Sequence, residues 1–166
     1  MENNSANGIY KETLFSKWAT FLLSTITTIF FFLWSYDVLL GWAWSGPLPS
    51  WFWLAMTIFF IGLTTNFLRL SVEMTSKGLT VGYGILRKKI SWDRVEGCHI
   101  DERSAWRYGG WGDRLMRIDG KWRSIYNVFG SPRVVVSLNR GWIRELVFST
   151  RNPEKAIETI ENNLRK

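Results

Sequence analysis

Between Trp18 and Leu68 the chain runs for 51 residues with one formal charge, Asp37. Two uncharged runs lie inside this stretch: WATFLLSTITTIFFFLWSY, of 19 residues (18–36), and WFWLAMTIFFIGLTTNFL, of 18 residues (51–68). As α-helices they rise about 27–29 Å, close to the thickness of a hydrocarbon core. The segment between them, DVLLGWAWSGPLPS (37–50), holds the helix breakers Gly46, Pro47 and Pro49. An antiparallel membrane hairpin is therefore predicted. Both runs are apolar around their whole circumference, unlike the one-sided pattern of a surface helix. Trp18, Trp34, Trp42, Trp44, Trp51 and Trp53 stand at or near the ends of the runs, where interfacial anchors sit.

Charge divides the rest of the chain. Residues 1–17 sum to zero, whereas residues 69–166 hold 19 Lys+Arg against 11 Asp+Glu. The 37–50 loop has no cation, while Lys11 and Lys17 precede the first span and Arg69, Lys77, Arg87, Lys88 and Lys89 follow the second. The positive-inside rule then predicts a multi-pass protein of the cytoplasmic membrane with both termini in the cytoplasm. Three parts are expected: an N-terminal cytoplasmic segment 1–17, a hairpin 18–68 and a cytoplasmic domain 69–166. The first run is expected to be a retained span rather than a cleaved signal, because its leader is neutral and its apolar run is long. Thr25, Thr27, Thr28, Thr64, Thr65 and Asn66 are candidates for joining the helices by hydrogen bonds. No ionisable group falls inside the predicted spans, which leaves a proton or ion pathway without support.

Beyond Leu68 the period becomes that of strands. Leu79–Val81 reads as a short strand, Gly82-Tyr83-Gly84 as a turn, and Ile85-Leu86 as the return. Further strands are expected from Lys89 to Trp92 and from Val95 to Ile100. Val134, Val136 and Leu138 share one strand face, Asn139-Arg140-Gly141 makes a hairpin loop, and residues 142–148 return. The end of the chain switches to helix: Asn152 suits an N-cap and Pro153 the first helical position. Ala156, Ile157, Ile160 and Leu164 then form one apolar stripe.

Two spans precede GLTVGYGILRKKISWDRVEG, YGGWGDRLM, IYNVFGSPRVVVSL and LVFSTRNPEKAIETI. In this order the chain resembles the bacterial and archaeal PH-like domain proteins, many of which join a membrane hairpin to a cytoplasmic PH-like barrel. The resemblance is most specific at Gly109–Arg114, Tyr126-Asn127-Val128 and the Asn152-Pro153-Glu154 helix start. The chain departs from the family at Asp113, where relatives often carry an apolar residue. The resemblance implies an α+β chain: a transmembrane hairpin, then an antiparallel β-barrel or sandwich of two orthogonal sheets, capped by a C-terminal helix. It implies no reaction.

Candidate chemistry is sparse. One cysteine, Cys98, and one histidine, His99, cannot build a four-ligand zinc site or an intramolecular disulfide, and neighbours on a strand point to opposite faces. No catalytic, metal or cofactor residues are expected. Gly82-x-Gly84 lacks the third glycine of a dinucleotide loop, since position 87 is arginine. Asp93, Glu96, Asp101, Glu102, Asp113 and Asp119 all have cations near in sequence and are expected to form surface ion pairs. Trp106-Arg107-Tyr108 and the bases of 114–123 interleave with aromatics as in single-strand nucleic-acid binders, but a membrane tether and the lack of a recognisable motif argue against nucleic acid. Two surfaces remain. Arg87, Lys88 and Lys89 are the candidate for anionic lipid, since each cation near an anionic leaflet contributes about 1 kcal/mol. Trp106, Tyr108, Trp111 and Arg114 are the candidate for a partner. The expected function is a non-enzymatic, membrane-anchored scaffolding module, possible as an accessory subunit of an integral membrane protein or as a self-associating protein. The alternative is recognition of anionic lipid headgroups.

Overall fold

The computed structural model describes residues 10–41, 48–103 and 110–165. The chain divides into two units, Lys17–Leu68 and the combination of Met1–Ser16 with Arg69–Lys166. The first unit is a pair of helices, α1 (Lys17–Leu40) and α2 (Ser50–Phe67). Their mean hydropathies of 1.5 and 1.3, with 24 and 18 residues, make each long and apolar enough to cross a membrane. They run antiparallel. Phe30 stacks on Phe60 at 5.3 Å and meets Trp53 at 6.1 Å, and Ser50 Oγ donates to Asp37 Oδ2.

Two expectations for this unit change. Helix α1 continues past Tyr36 to Leu40, so Asp37 lies within it, buried in its last turn. Its partner Ser50 opens α2, which compensates for withdrawing the carboxylate from water. The threonines do not join the helices through the bonds resolved here. Thr25, Thr27 and Thr28 donate to the carbonyls of Phe21, Leu23 and Ser24, and Thr64 and Thr65 to those of Phe60 and Ile61. In an apolar setting the carbonyl one turn back is the nearest acceptor. Trp18 and Trp51 are exposed at the starts of their helices, and Trp34 and Trp53 are half-buried. Trp42 and Trp44 lie outside the described residues.

The second unit begins before the helices do. Residues Tyr10–Phe15 form a strand, β1, which pairs antiparallel with β2 (Arg69–Thr75) from Tyr10↔Met74 to Phe15↔Arg69. The helical pair is thus inserted between two neighbouring strands. β3 (Gly78–Tyr83) and β4 (Leu86–Ile90) complete a four-stranded antiparallel meander. Leu70, Val72 and Met74 alternate with half-buried polar residues along β2 and are fully buried, as are Leu79, Val81 and Tyr83 on β3. Period two puts each set on one face. Glu12 fastens β1 to the far end of the chain: its carboxylate accepts from Tyr10, from the Thr150 hydroxyl at 2.6 Å and from the Arg151 amide at 2.8 Å.

A short 3-10 turn (Trp92–Arg94) leads into the second sheet. It comprises β5 (Val95–Ile100), β6 (Gly112–Ile118), β7 (Lys121–Asn127), β8 (Arg133–Leu138) and β9 (Ile143–Ser149), in spatial order β5-β8-β9-β7-β6. The antiparallel expectation fails at one pairing. After β7 the chain passes the far side of the place that β9 will occupy, so β9 enters between β7 and β8 and pairs parallel with β7. The two sheets stay separate among the described residues and no closed barrel forms. They meet where β3 contacts β6 and β7. Helix α3 (Pro153–Leu164) packs on β5 and β8 through Ala156 and Ile160, which are fully buried. Pro153 opens it as expected, but the Asn152 side chain makes no capping bond; its carbonyl receives the Ala156 amide at 3.0 Å.

Gly82 and Tyr83 belong to β3, and the turn is the next pair, Gly84-Ile85, with Gly84 at φ +46°. A Cβ on Gly82 would collide with the Leu86 carbonyl and come within 2.5 Å of Arg87 Cα, whereas one on Gly97 would meet nothing. Gly82→Ala should therefore destabilise the sheet unit by about 1–3 kcal/mol, the usual cost of overpacking. Gly97→Ala should stay within about 0.5 kcal/mol of wild type. Thermal melts of both full-length variants in detergent, followed by tryptophan emission, check the difference.

Candidate functional site

Several polar and aromatic clusters lie on the sheet unit, some of them at residues singled out in the sequence. The first centres on Tyr83, which is fully buried at the end of β3. Its hydroxyl donates to the Asn127 carbonyl at 2.7 Å and is hydrogen-bonded by the Ser16 side chain. Burial pushes this phenol well above its ordinary range, so it stays neutral and acts as a structural pin between the sheets. Asn127 extends the network: its amide donates to the Gly110 carbonyl, and its side-chain oxygen accepts from Ser149 Oγ at 3.1 Å. The Gly110–Gly112 turn is held by this asparagine, with φ of +95° and +108° at the two glycines.

The basic triplet lies on β4, and the alternation of a strand divides it. Arg87 and Lys89 stand opposite Gly82 and Thr80 on the outer face, both exposed. Lys88 stands opposite the buried Val81 on the other face and is half-buried. Desolvation holds its ammonium pKa below the ordinary lysine value, and the Asp113 charge partly offsets this. Asp113 responds in mirror fashion: burial raises its carboxyl and Lys88 lowers it. Asp113 on β6 thus supplies a countercharge for Lys88 across the two sheets. Arg87 bends back, its Nε donating to the Gly84 carbonyl at 2.8 Å.

Of the expected partner residues, Trp106 and Tyr108 lie outside the described residues. Trp111 is half-buried in the glycine turn, and Arg114 is exposed on β6 beside Ile125 of β7. The larger aromatic feature is elsewhere. Trp122 and Trp142 meet edge to face at 5.4 Å, at the starts of β7 and β9, and Trp142 is 61% exposed. Lys121, Arg140 and Arg144 are their sequence neighbours, and an open polar cleft lined by Glu96, Lys121, Asn139 and Glu145 lies at this end of the sheet. Neither tryptophan was among the partner residues expected from sequence, because their meeting depends on the non-local pairing of β7 with β9.

Among the acidic residues, surface pairing describes Asp119, which meets Arg103 at 2.8 Å and Arg123 at 3.7 Å. It does not describe Asp101. That carboxylate is 3% exposed and pairs with the equally sequestered Arg133 at 2.8 Å. The reason is topological: β5 and β6 are opposite edges of the sheet, and the start of their connection is anchored by this pair as it leaves β5. Arg123 and Glu145, also buried, lie 2.8 Å apart on β7 and β9.

Cys98 and His99 face opposite sides, opposite Val136 and Val135 respectively. Cys98 is half-buried against α3 rather than fully enclosed, with Sγ 4.0 Å from the Ile157 carbonyl. Burial, reinforced by Glu161, pushes its thiol up to about 11. No protein-family profile, curated protein or solved structure matches this chain.

The Cys98 thiol should react with iodoacetamide at least about tenfold more slowly at pH 8 than an ordinary thiol of pKa about 8.5, because so little thiolate is present. The rate should rise close to tenfold per pH unit and level off only near pH 11, which mass-spectrometric labelling against a reference peptide reads directly.

Proposed function

We propose that this chain is a membrane-anchored, non-enzymatic interaction module of the PH-like kind, whose sheet unit presents a binding surface on the cytoplasmic side of the membrane. Three features support the membrane part. Both helices have the length and apolarity of spans. They are inserted between β1 and β2, strands paired up to Phe15↔Arg69, so the hairpin must leave from and return to one place. Two crossings satisfy this requirement and a single crossing does not. The cation-free 37–50 segment and the cationic flanks support a cytoplasmic side for the sheet unit.

The binding part rests on the Trp122–Trp142 pair. Tyr83, beside the ends of β1 and β2, touches β7 at Asn127, whereas Trp122 lies five residues back along the same strand, about 16 Å away. The pair is therefore at the end of the sheet remote from the attachment of the helices. Large rigid aromatics with a cationic rim are the composition that dominates protein interfaces. An integral membrane protein or a second copy of this chain is the kind of partner that a tethered module meets. The lipid reading keeps support from Arg87 and Lys89, which share one exposed face; Lys88, turned to the other face, does not add to it.

Trp142 replaced by a photo-crosslinking phenylalanine analogue should yield a discrete protein adduct when whole membranes are irradiated. Trp122→Ala in the same chain should weaken that adduct strongly, since truncating an interface anchor costs about 2 kcal/mol, roughly thirtyfold in affinity. Absence of any protein adduct, or an adduct indifferent to Trp122→Ala, would overturn the interaction reading at this surface.

A further inference from the structure

The four-stranded sheet has two hairpin turns at opposite ends, and their chemistry differs. The β2–β3 turn carries Ser76 and Lys77, both exposed, as a solvated turn should. The β3–β4 turn carries Ile85, which is 90% exposed, followed by the exposed Leu86. An isoleucine at the tip of a two-residue turn has no packing reason to be apolar.

Register says which end of the sheet this is. Phe15 pairs with Arg69, Leu70 with Tyr83, and Tyr83 with Leu86. The Gly84-Ile85 turn therefore lies at the end from which the chain leaves for α1, through Ser16, and to which it returns from α2, through Leu68. Phe15, the last residue of β1, is also exposed there. Behind the tip stand Arg87 and Lys89, exposed on the outer face of β4. Apolar residues at the leading edge with cations one or two residues behind match the layering of a membrane interface: acyl chains first, then anionic headgroups. The turn glycine and the Arg87 Nε bond to the Gly84 carbonyl hold the tip in shape without burying Ile85.

We propose that the β3–β4 turn dips Ile85 and Leu86 into the interfacial layer of the bilayer that α1 and α2 cross, giving the sheet unit a second membrane contact independent of its covalent tether. This rests on the reading of the two helices as spans.

The test uses the full chain carrying Cys98→Ala and one added cysteine, labelled with the environment-sensitive fluorophore NBD and reconstituted in phosphatidylcholine vesicles, with or without phosphatidylglycerol. Three positions are compared: Ile85→Cys at the tip, Lys77→Cys at the opposite turn, about 20 Å away along the strands, and Phe32→Cys within α1. At position 85 the emission should shift to the blue and lose at least half its intensity to lipids brominated near the headgroup end of the acyl chain, in both vesicle types. At position 77 it should stay aqueous, and at position 32 deeply brominated lipid should quench it. An aqueous probe at 85 with a quenched probe at 32 overturns the insertion alone. Quenching at 85 only with phosphatidylglycerol also overturns it, since charge and not the apolar tip would then drive the contact. A blue shift at 85 without lipid quenching overturns it in favour of a protein contact. An unquenched probe at 32 overturns the membrane reading, and the insertion falls with it.

Discussion

Pairing of β1 with β2 is the constraint on which the rest of this molecule depends. The two strands are separated in sequence by the whole helical pair, yet Phe15 and Arg69 are direct partners. Strand spacing holds their backbones about 5 Å apart. Whatever the inserted helices do, they must begin and end at that point. An insertion of two antiparallel helices meets the condition with no strain, because each reverses the displacement of the other. The same pairing enlists the N-terminal segment into the sheet, where Glu12 ties it to Thr150 and Arg151. The two parts of the chain that flank the helices are thereby one folded unit.

Within that unit several buried polar contacts join the elements. Tyr83 joins the end of the first sheet to Asn127 of the second, and Asn127 in turn positions the glycine turn before β6. Asp101–Arg133 and Arg123–Glu145 are buried ion pairs on the second sheet. Such pairs add little net stability when compared with apolar packing, but removing one partner leaves a charge without compensation and costs about 3–5 kcal/mol. The apolar residues supply the driving force: Ile125, Val135 and Val147 cluster on one face, with Met116 and Ile118 against them.

The division of Arg87, Lys88 and Lys89 illustrates how a run of like charges is parsed by a strand. A three-residue cationic patch in the sequence becomes two exposed cations and one half-buried ammonium whose countercharge comes from a different sheet. Asp113 and Lys88 are each unfavourable alone at these positions. Together they offset part of the cost of each other's desolvation.

The helices were legible in the sequence because length and apolarity alone select them, and the β8–β9 hairpin because Val134, Val136 and Leu138 alternate and Gly141 takes φ +98° where the loop needs it. Strand β2, with Leu70, Val72 and Met74 on one face, and the Asp119-Gly120 turn between β6 and β7 were not among the expectations, although both signals are local. Strand β1 was not legible, since YKETLF carries a weak pattern and its partner lies beyond the helices. The parallel entry of β9 beside β7, the burial of Asp101, and the meeting of Trp122 with Trp142 are non-local as well. The sequence by itself determined which segments are apolar helices, which alternate as strands, and where the charge lies, because these follow from neighbours along the chain. Only the tertiary structure decided which strands pair, which cation turns inward and which turn of the first sheet stands exposed, because those depend on backbone hydrogen bonds between residues far apart in sequence.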